Sequence, residues 1–423
     1  MTRDPDETAG SGVPRLRILM VHNLLEEKGG AETFFLREVE VLRRAGHEVF
    51  TFGFGEEDGG DEAGAMLQVG EPRRMWLRKL FKFTFHPAAY RALRRFVRTV
   101  DPDLVHLHMD TKYPLTVLAA LRGRPVIQMF HGGTLLCPTG WLVHADDEEP
   151  CEGGAGLKCV RHGCLPAYEL PLHVALQRVW QASARRVVTH FTPPSRYLTD
   201  YLKRFGFPRV TRLPYFSPVG LPSEPPPPSR SRTILFTGVL THQKGVEYLV
   251  RAVPQVIERH PDAAFVIVGD GHLDQTLRDL ARTLGVDGSI TFTGRLPNQA
   301  LEHYYGSARA TVIPSMWLEN SPLVAYEAML AGRPIVGSAR GGIPDLIEAA
   351  DCGFVVPPKD PAAIAEALVR LLDDADLADR LGANGRRHAI ESLSEEAFLS
   401  RFHEVVAATP GVRAANGGRV APA

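Results

Sequence analysis

Two glutamates, Glu319 and Glu327, bracket the segment ENSPLVAYE and have the residue types and spacing of a ligand-binding site. An apolar run before them predicts a buried strand, and residues 323–330 predict a helix with Ser321 as its N-cap. The unpaired N–H groups and the positive dipole end of such a helix favour a phosphate. The two carboxylates would lie ~12 Å apart along the axis and can each accept a hydrogen bond from a sugar hydroxyl. The pattern therefore indicates a site for a diphosphate-linked sugar, although either glutamate alone would be interpreted as a solvated side chain.

Further chemically competent residues follow predicted strands in the second half of the chain. Lys244 lies near the end of the turn TGVLTHQKG, where its ammonium group would meet a phosphate, and Gly269 in VGDG permits close approach of a backbone. Gly294 and Arg295 follow a third strand, and the segment GGIPD follows a fifth. A glycine at one strand–helix turn usually only makes the turn. Five such elements at the same ends of successive strands favour one shared site.

The elements that must position these residues alternate between apolar runs and helical patterns. In the first half, strands are predicted at residues 16–21, 48–52, 104–107, 126–130, 187–191 and 210–213. In the second half, strands are predicted at residues 233–237, 264–268, 289–293, 310–313, 335–338 and 354–356. Two such series predict an α/β protein with two Rossmann-like parallel-sheet domains that face a cleft, where ligands bind at the carboxyl ends of the strands.

Local composition sets the expected domain boundaries. Residues 1–14 are polar and acidic, unlike a signal peptide, and predict a disordered leader, and the Gly/Ala-rich residues 409–423 predict a flexible tail. The proline-rich residues 217–231 predict a stiff linker between a first domain at 15–216 and a second at 232–391.

Overall composition excludes several classes of protein. The chain has 423 residues, of which 44% are hydrophobic and 23% charged, as in soluble globular proteins. Its net charge of −1 gives no general attraction for nucleic acid, so no nucleic-acid partner is expected. No apolar run approaches bilayer length, and the chain is therefore predicted to be cytoplasmic.

The first half of the chain adds candidates that face the same cleft. The segment KGGAE contains Gly29, Gly30 and Glu32 between the first strand and its helix, and His131 follows a strand in the segment MFHGG. A bare glycine pair or a lone histidine is more often structural. At the carboxyl end of a strand, however, a histidine faces the predicted cleft.

This series of motifs resembles the retaining nucleotide-sugar glycosyltransferases of family 4, which have the GT-B fold, over nearly all of residues 16–408. The resemblance implies that Glu319 contacts the donor sugar and that Glu327 holds the ribose hydroxyls. It implies that Lys244 and the helix start at Asn320–Ser321 neutralise the diphosphate. It also makes residues 232–391 the donor-binding domain and residues 15–216 the acceptor-side domain, to which a closing helix at 392–408 returns.

Other roles come from the same resemblance. The nucleotide base would lie against the backbone near Gly294, Arg295 and Leu296. The loop with Gly29, Gly30 and Glu32 would close over the diphosphate from the acceptor side, and His131 would lie at the reacting sugar.

The chain departs from the family at one position. The family commonly has an arginine five residues before the lysine, as a second cation for the diphosphate, and this chain has Val239 there. Arg295 and Arg340 are candidates to compensate. The departure affects the expected rate and donor preference more than the fold.

The reaction implied is transfer of a sugar from a nucleoside diphosphate sugar to an acceptor hydroxyl, with retention at the anomeric carbon, in the synthesis of a polysaccharide, glycolipid or other glycoconjugate. No DxD-type metal motif is evident in the sequence, so no cofactor is expected to be required for catalysis. Two alternatives remain. One is a sugar- or nucleotide-binding protein that has lost turnover, which the valine at position 239 would suit. The other is a different GT-B enzyme, such as a sugar-nucleotide epimerase.

Four cysteines lie in one short window, at Cys137, Cys151, Cys159 and Cys164. Thiolates at short spacing can form a tetrahedral structural zinc site, but the gaps are not the close C-x2-C pairs of a typical zinc motif. The alternatives are a structural zinc ion and free or variably oxidised thiols.

Residues 73–100 contain nine Lys or Arg and no Asp or Glu, interleaved with aromatic residues. Such a stretch suits the anionic inner face of a membrane, where each basic residue contributes about 1 kcal/mol, and a lipid-linked acceptor would give that contact a purpose. It equally suits a solvated helix pair that covers the first domain.

Overall fold

The structure, a computed structural model, describes residues 15–25, 30–55, 58–61, 64–72, 74–75, 81, 84–108, 113–217 and 225–412, with backbone only at 298–299. Gly29 of the predicted acceptor-side loop, much of the basic stretch before residue 84, and part of the proline-rich segment lie outside these residues.

The first sheet has seven strands in the order β3-β4-β2-β1-β5-β6-β7, parallel throughout except for the β3–β4 pair. The strands are β1 (Arg17–His22), β2 (Glu48–Gly55), β3 (Gly59–Gly60), β4 (Met66–Gly70), β5 (Leu104–His108), β6 (Val126–Met129) and β7 (His190–Thr192). The helices among them are Gly30–Arg44, Pro87–Val100, Pro114–Leu121, Leu157–Arg161, Leu170–Val187 and Arg196–Arg204.

The second sheet has six parallel strands in the order β10-β9-β8-β11-β12-β13. The strands are β8 (Thr233–Thr237), β9 (Ala264–Val268), β10 (Ile290–Gly294), β11 (Ala310–Ile313), β12 (Ile335–Ser338) and β13 (Gly353–Val356). The α-helices that follow residue 225 are Val246–Arg259, Asp274–Thr283, Asn298–Gly306, Leu323–Leu330, Ile343–Ala350, Pro361–Asp373, Ala375–Ser392 and Glu395–Ala407. Short 3-10 turns lie at Pro228–Arg230, His242–Lys244 and Asp287–Ser289.

Two parallel-sheet α/β domains therefore confirm the predicted fold class, with differences in the first sheet. Residues 210–213 do not form a strand, because only Val210 makes an isolated bridge, to Phe191. The strand predicted at 187–191 begins at His190, because the preceding helix continues through Val187. Strands β3 and β4 were not predicted, since glycines and short length hide an edge strand from pattern analysis.

The last helix, Glu395–Ala407, packs on the first sheet's side of the molecule although it follows the second sheet in the chain. The ring of Phe398 lies 5.8 Å from that of Phe34 and 5.0 Å from that of Phe216. Arg44 of the first helix pairs with Glu395 at 2.5 Å. The chain thus crosses between its two halves a second time before it ends.

The strand orders fix where a ligand would bind. In the first sheet the order reverses between β1 and β5, and in the second between β8 and β11. Loops that leave the carboxyl ends of strands at such reversals diverge and leave a crevice. The loops after β8 and β11 carry Lys244 and Glu319, so the topology places both residues at one crevice.

The described part of the basic stretch uses its apolar residues in the core. In the helix Pro87–Val100, Leu93, Phe96 and Val97 are buried. The outward residues include Arg91, Arg95 and Arg98. The apolar face of this helix is therefore buried in the domain, and the face it exposes is basic. No helix in the described part of the chain is both long enough and apolar enough to cross a membrane.

Candidate active site

A cavity of about 450 Å³ lies between the two sheets. It is lined from the first domain by Gly30, His131, Tyr197 and Tyr215, and from the second by Val239, Lys244, Ser315 and Trp317–Val324, among others. Six of the site residues predicted from sequence line this cavity: Gly30, His131, Lys244, Glu319, Asn320 and Ser321. We call it the interdomain cavity.

Glu319 and Lys244 form an ion pair on the wall of this cavity. Lys244 Nζ donates to Glu319 Oε1 at 2.6 Å, and the Ser315 hydroxyl donates to the same oxygen at 2.8 Å. The Glu319 side chain is 7% exposed and that of Lys244 is 28% exposed. The lysine ammonium also lies 5.1 Å from the centre of the Trp317 ring. The pair therefore holds a cation at the edge of the cavity and a largely buried carboxylate behind it.

Two glycines hold the loops of this pair in place. Gly245 has φ +65°, and a Cβ there would lie 1.9 Å from the Pro314 carbonyl oxygen, so the loop after β8 rests directly on the end of β11. Gly341 has φ +59°, and a Cβ there would lie 2.1 Å from the Glu319 carbonyl oxygen. Only glycine allows both the left-handed backbone and the close approach. The TGVLTHQKG segment thus packs against Pro314 at the start of the loop that carries Glu319, and the GGIPD segment packs against Glu319 itself.

Asn320 joins the two domains beside that glutamate. Its amide nitrogen donates to the Phe130 carbonyl at 2.8 Å, and its amide oxygen accepts from the Ser195 hydroxyl at 2.7 Å. Ser195 also caps the helix Arg196–Arg204 by accepting from the Leu198 N–H. The residue next to Glu319 is therefore fixed to two separate segments of the first domain.

The prediction that Ser321 is an N-cap is wrong. The helix begins at Leu323, Pro322 occupies the capping position, and no side chain caps it. The Ser321 hydroxyl bonds to the Tyr326 hydroxyl at 2.6 Å instead. Because the first-turn N–H groups of a helix have no intrahelical partner, the absence of a side-chain cap leaves Leu323 and Val324 at the cavity with donors for an anion.

Glu327 is the fifth residue of this helix, in its second turn, and lies outside the lining of the interdomain cavity. Its carboxylate accepts from the Tyr305 hydroxyl at 2.7 Å, and that hydroxyl also bonds to the Thr237 hydroxyl, which does line the cavity. Burial raises the pKa of Glu327, and the bond from Tyr305 partly lowers it again. Thr237 and Tyr305 thus connect the cavity to a buried carboxylate.

Both ring nitrogens of His131 contact protein atoms. Nδ1 lies 2.5 Å from the Tyr215 hydroxyl, and Nε2 lies 3.0 Å from Nδ1 of His108. Burial, with smaller contributions from His22 and His106, holds the pKa of His131 well below its usual 6.5. The ring is therefore neutral at neutral pH, and any contact with a bound sugar would require one of these protein contacts to be exchanged.

Behind His131 lies a buried carboxylate, Glu38, which has no exposed surface. Its two oxygens lie 3.0 Å from His106 Nδ1 and 3.3 Å from His108 Nε2. Both Glu38 oxygens, His106 Nδ1 and His108 Nε2 nevertheless lack hydrogen-bond geometry, so these contacts do not fix the tautomer of His108 or His131. His106 and His108 are fully buried.

The remaining predicted residues lie outside the lining of the interdomain cavity. Gly269 and Gly294 are joined by a backbone hydrogen bond of 3.0 Å, and neither they nor Arg295, Leu296 and Glu32 line it. Arg295 is exposed.

The two positions that concern the second cation have different surroundings. Val239 is 54% exposed and lines the cavity. Arg340 is buried and pairs with Glu149 of the first domain at 3.1 Å. The guanidinium of Arg340 is therefore already paired, and the cavity wall at position 239 carries no charge.

Several residues of the site are not among those that the sequence predicts. Tyr215 and Tyr305 become site residues only through contacts with His131 and Glu327, which are distant in sequence. Glu38 carried a usable signal: it lies on the same helical face as Phe35 and Leu42, and a charge on an apolar face indicates a buried partner.

Comparison with known protein families divides the chain in the same way as the two sheets. A family model described as "Glycosyltransferase Family 4" matches residues 28–215, and one described as "Glycosyl transferases group 1" matches residues 222–388. An uncharacterized glycosyltransferase of Methanocaldococcus jannaschii is 40% identical over 163 residues, which are 38% of this chain and 41% of that protein. The match thus spans less than half the length of this relative.

Solved structures with the same arrangement of both domains extend the likeness over most of the chain. Sucrose-phosphate synthase from Thermosynechococcus elongatus has a TM-score of 0.68 and 20% identity, and the match covers 92% of this chain and 98% of that one. Anabaena HepE in complex with UDP has a TM-score of 0.67 and 16% identity, with 92% of this chain and 99% of that one covered. At these identities the likeness shows the fold alone.

Proposed function

We propose that this chain, which belongs to the group 1 and family 4 glycosyltransferases and has their GT-B fold, transfers a sugar from a nucleoside diphosphate sugar to an acceptor hydroxyl with retention at the anomeric carbon. The observation that carries the proposal is the ion pair of Lys244 with Glu319 beside the uncapped start of the helix Leu323–Leu330. A cation and free N–H groups at one cavity wall suit a diphosphate. The HepE structure solved with UDP supports a nucleotide donor by likeness of fold.

In the proposed reaction the bond between C1 of the sugar and the diphosphate oxygen breaks, and both electrons leave with the oxygen. The acceptor oxygen attacks C1 from the same face, and its proton passes to a departing phosphate oxygen. Negative charge thus grows on the leaving group. Lys244 Nζ and the N–H groups of Leu323 and Val324 would stabilise that charge, which is an electrostatic contribution of the oxyanion-hole type.

Glu319 serves two parts of this reaction. Its Oε1 holds Lys244 in place, and its other oxygen accepts from a donor-sugar hydroxyl. Because both existing hydrogen bonds reach Oε1, Oε2 is the oxygen with acceptor capacity left for the sugar. A sugar held in this way has its anomeric carbon fixed relative to the diphosphate.

Glu327 and His131 have less direct roles in the proposal. Glu327 accepts ribose hydroxyls when Tyr305 shares or gives up its hydrogen bond to the carboxylate. His131, neutral and held between Tyr215 and His108, positions the reacting sugar and does not act as a nucleophile. Val239 leaves the diphosphate with one fewer cation, so we expect a modest rate.

The acceptor is a hydroxyl-bearing molecule that enters between His131 and the loop at Gly30. A lipid-linked acceptor would bring the chain to a membrane, where the exposed arginines of the helix Pro87–Val100 offer a basic surface. Flotation with anionic vesicles at low salt tests that contact, and failure to float removes it without affecting the transferase proposal.

The decisive experiment measures thermal stabilisation by a panel of UDP-, GDP-, ADP- and TDP-sugars, each with its free diphosphate. A ligand at 100 times its Kd stabilises the folded state by about 2.7 kcal/mol, which is readily measured. We expect one base to be selected, followed by slow donor hydrolysis whose first product, seen by NMR, has the donor's anomeric configuration. No stabilisation by any nucleotide would reject the proposal. Stabilisation without hydrolysis or transfer to any acceptor would favour a binding protein.

A further inference from the structure

The four cysteines predicted as possible metal ligands converge in the fold. Cys137 follows β6, Cys151 follows a short bridge between Val143 and Pro150, and Cys159 and Cys164 belong to the helix Leu157–Arg161 and the turn after it. All four line one small cavity of about 10 Å³, which is room for a single atom or water molecule. None is in a disulfide. Residues separated by up to 27 positions in sequence thus line one cavity, although their sulfur atoms are not among the groups of ligand atoms that lie within 4.8 Å of one another.

Backbone hydrogen bonds hold the cysteines around this cavity. The Cys151 N–H donates to the Leu142 carbonyl at 2.7 Å, and the Leu165 N–H donates to the Cys159 carbonyl at 3.0 Å. The sulfur atoms differ in their contacts. Cys137 Sγ lies 3.2 Å from the Thr139 hydroxyl oxygen, whereas Cys159 Sγ lies 3.9 Å from the Gly154 oxygen and Cys164 Sγ lies 4.0 Å from the Val143 oxygen. The backbone therefore positions four thiols, and those of Cys159 and Cys164 have only weak protein partners.

Residues 137–165, which we call the cysteine segment, have little regular structure to hold them together. They contain one isolated bridge and one helix of five residues. Three of the four cysteines are nonetheless at least 94% buried. Segments of this kind, with short elements and a small core, are commonly held by a metal ion bound to thiolates.

We propose that Cys137, Cys151, Cys159 and Cys164 bind a structural zinc ion in a tetrahedral tetrathiolate site. Four thiolates complete the coordination of zinc, so the site has no open position for a substrate. The site lies apart from Lys244 and Glu319 and takes no part in bond breaking. Lys158, whose ammonium donates to the Gly153 carbonyl beside the cavity, offsets part of the site's negative charge.

The metal would also determine how the cysteine segment meets the second domain. Glu148 pairs with Lys359 at 2.9 Å and with His242 at 2.9 Å. Trp141 packs on Trp317, two residues before Glu319, with 5.0 Å between ring centres. The segment that the zinc ion holds together is therefore the one that reaches across the cleft.

A second group of possible ligands lies nearby and provides a control. His144, Asp146, Asp147 and His162 have ligand atoms within 4.8 Å of one another. Part of this group is held without a metal: His162 Nδ1 bonds to Asp146 at 3.0 Å, and the two imidazole rings stack at 3.7 Å, whereas His144 Nδ1 has no hydrogen-bond partner among the described residues. The two aspartates are exposed, as in an ordinary surface cluster.

Metal analysis of the full chain, purified without chelators and without a histidine tag, tests the proposal. We expect close to one zinc per chain, released by a thiol-specific mercurial. In the matched variants, Cys159→Ser loses the metal, whereas Cys352→Ser, which changes a buried thiol in the second domain, and His162→Ala both keep it. Zinc that is lost in His162→Ala and kept in Cys159→Ser would overturn the tetrathiolate assignment.

Cobalt substitution keeps the test independent of whether a serine variant folds. Native chain expressed with cobalt should show thiolate-to-cobalt charge transfer in the near ultraviolet and the strong visible bands of a tetrahedral site. Chain that binds neither zinc nor cobalt, and whose four thiols react freely with a disulfide reagent while it remains folded, would refute the proposal. Neither measurement depends on donor turnover, so the zinc proposal and the proposed function fail separately.

Discussion

Replacing Lys244 with methionine tests the proposed diphosphate site most directly, because methionine keeps much of the length and removes the charge. Lys244 Nζ lies 2.6 Å from Glu319 Oε1. Breaking a fully buried pair costs about 3–5 kcal/mol and an exposed pair contributes about 0.2–1 kcal/mol. Since Lys244 is 28% exposed and Glu319 is 7% exposed, we expect an intermediate loss of about 1–2 kcal/mol of folding stability. For a domain of ordinary size that lowers Tm by about 2–8 °C.

The effect on binding is separate from the effect on stability. A charge-assisted hydrogen bond to a phosphate contributes about 1.5–3 kcal/mol. Lys244→Met should therefore raise the Kd of the selected nucleoside diphosphate roughly 10- to 150-fold. The Kd of the matching nucleoside, which lacks phosphates, should stay within about twofold. Isothermal titration calorimetry at one ionic strength measures both, because exposed charges are screened by salt.

The matched control is Glu319→Gln. It releases Lys244 from its ion pair, so we expect it to bind the free diphosphate at least as tightly as the native chain does, while donor turnover falls. Folded Lys244→Met protein that binds the diphosphate with native affinity would refute the assignment of this lysine. An equal loss of affinity for nucleoside and diphosphate would show a general disturbance of the cavity instead.

Three further predictions concern Tyr305, Val239 and His47. Tyr305→Phe removes the donor to the buried Glu327 and should lower the urea-unfolding free energy by about 1–3 kcal/mol, and more than Thr237→Val does; equal stability of Tyr305→Phe and the native chain would contradict this account. Val239→Arg adds a cation to the cavity wall and should tighten diphosphate binding roughly 2- to 5-fold, with the gain disappearing at high salt. Burial and the neighbouring His403 lower the pKa of His47 from 6.5 to about 4, so the unfolded chain binds a proton that the folded chain does not, and stability is lost as pH falls from 6.5 towards 4. His47→Gln should reduce the slope of unfolding free energy against pH in that window by up to ~1.4 kcal/mol per pH unit, and an unchanged slope would count against the depressed pKa.

The second domain could be predicted closely because its strands are short apolar runs, of which β8, β11 and β12 are almost completely buried. Four of its strands, β8, β9, β11 and β12, have the bounds that the apolar runs predicted. In the first domain the pattern is weaker: β4 is only partly buried, and residues 210–213 are apolar enough to suggest a strand but pair at one residue only. When a segment is completely buried, its local apolar pattern predicts whether it forms a strand. When it is partly exposed, pairing with other strands determines this.

The residues of the candidate site also differ in how well the sequence predicts them. Residues that act from their own loop, such as Lys244 and Glu319, are recognisable from type, spacing and resemblance. Residues that act by contacting another side chain are not: the link from Glu327 to Tyr305 spans 22 positions, and that from His131 to Tyr215 spans 84. Ser321 has a residue type suited to an N-cap, but its hydroxyl bonds to the Tyr326 hydroxyl instead of capping the helix. Residue type alone therefore does not predict which hydrogen bond a side chain makes.

The amide of Asn320 has a consequence for the order of events in a catalytic cycle. It bonds to Phe130 and Ser195 of the first domain, while its neighbour Glu319 lines the interdomain cavity, where the donor is proposed to bind. Separating the domains must break these two bonds. Ligand binding beside Glu319 and the opening of the two domains are therefore coupled in free energy. By reciprocity, a bound donor favours the closed molecule by the same factor by which closure favours the donor.

On the proposed function, such coupling makes hydrolysis of the donor sugar before closure less frequent. In the open molecule Asn320 loses its partners, and the adjacent carboxylate loses the fixed backbone that aims it at the sugar. On the proposed function, activation of the donor accompanies closure of the two domains.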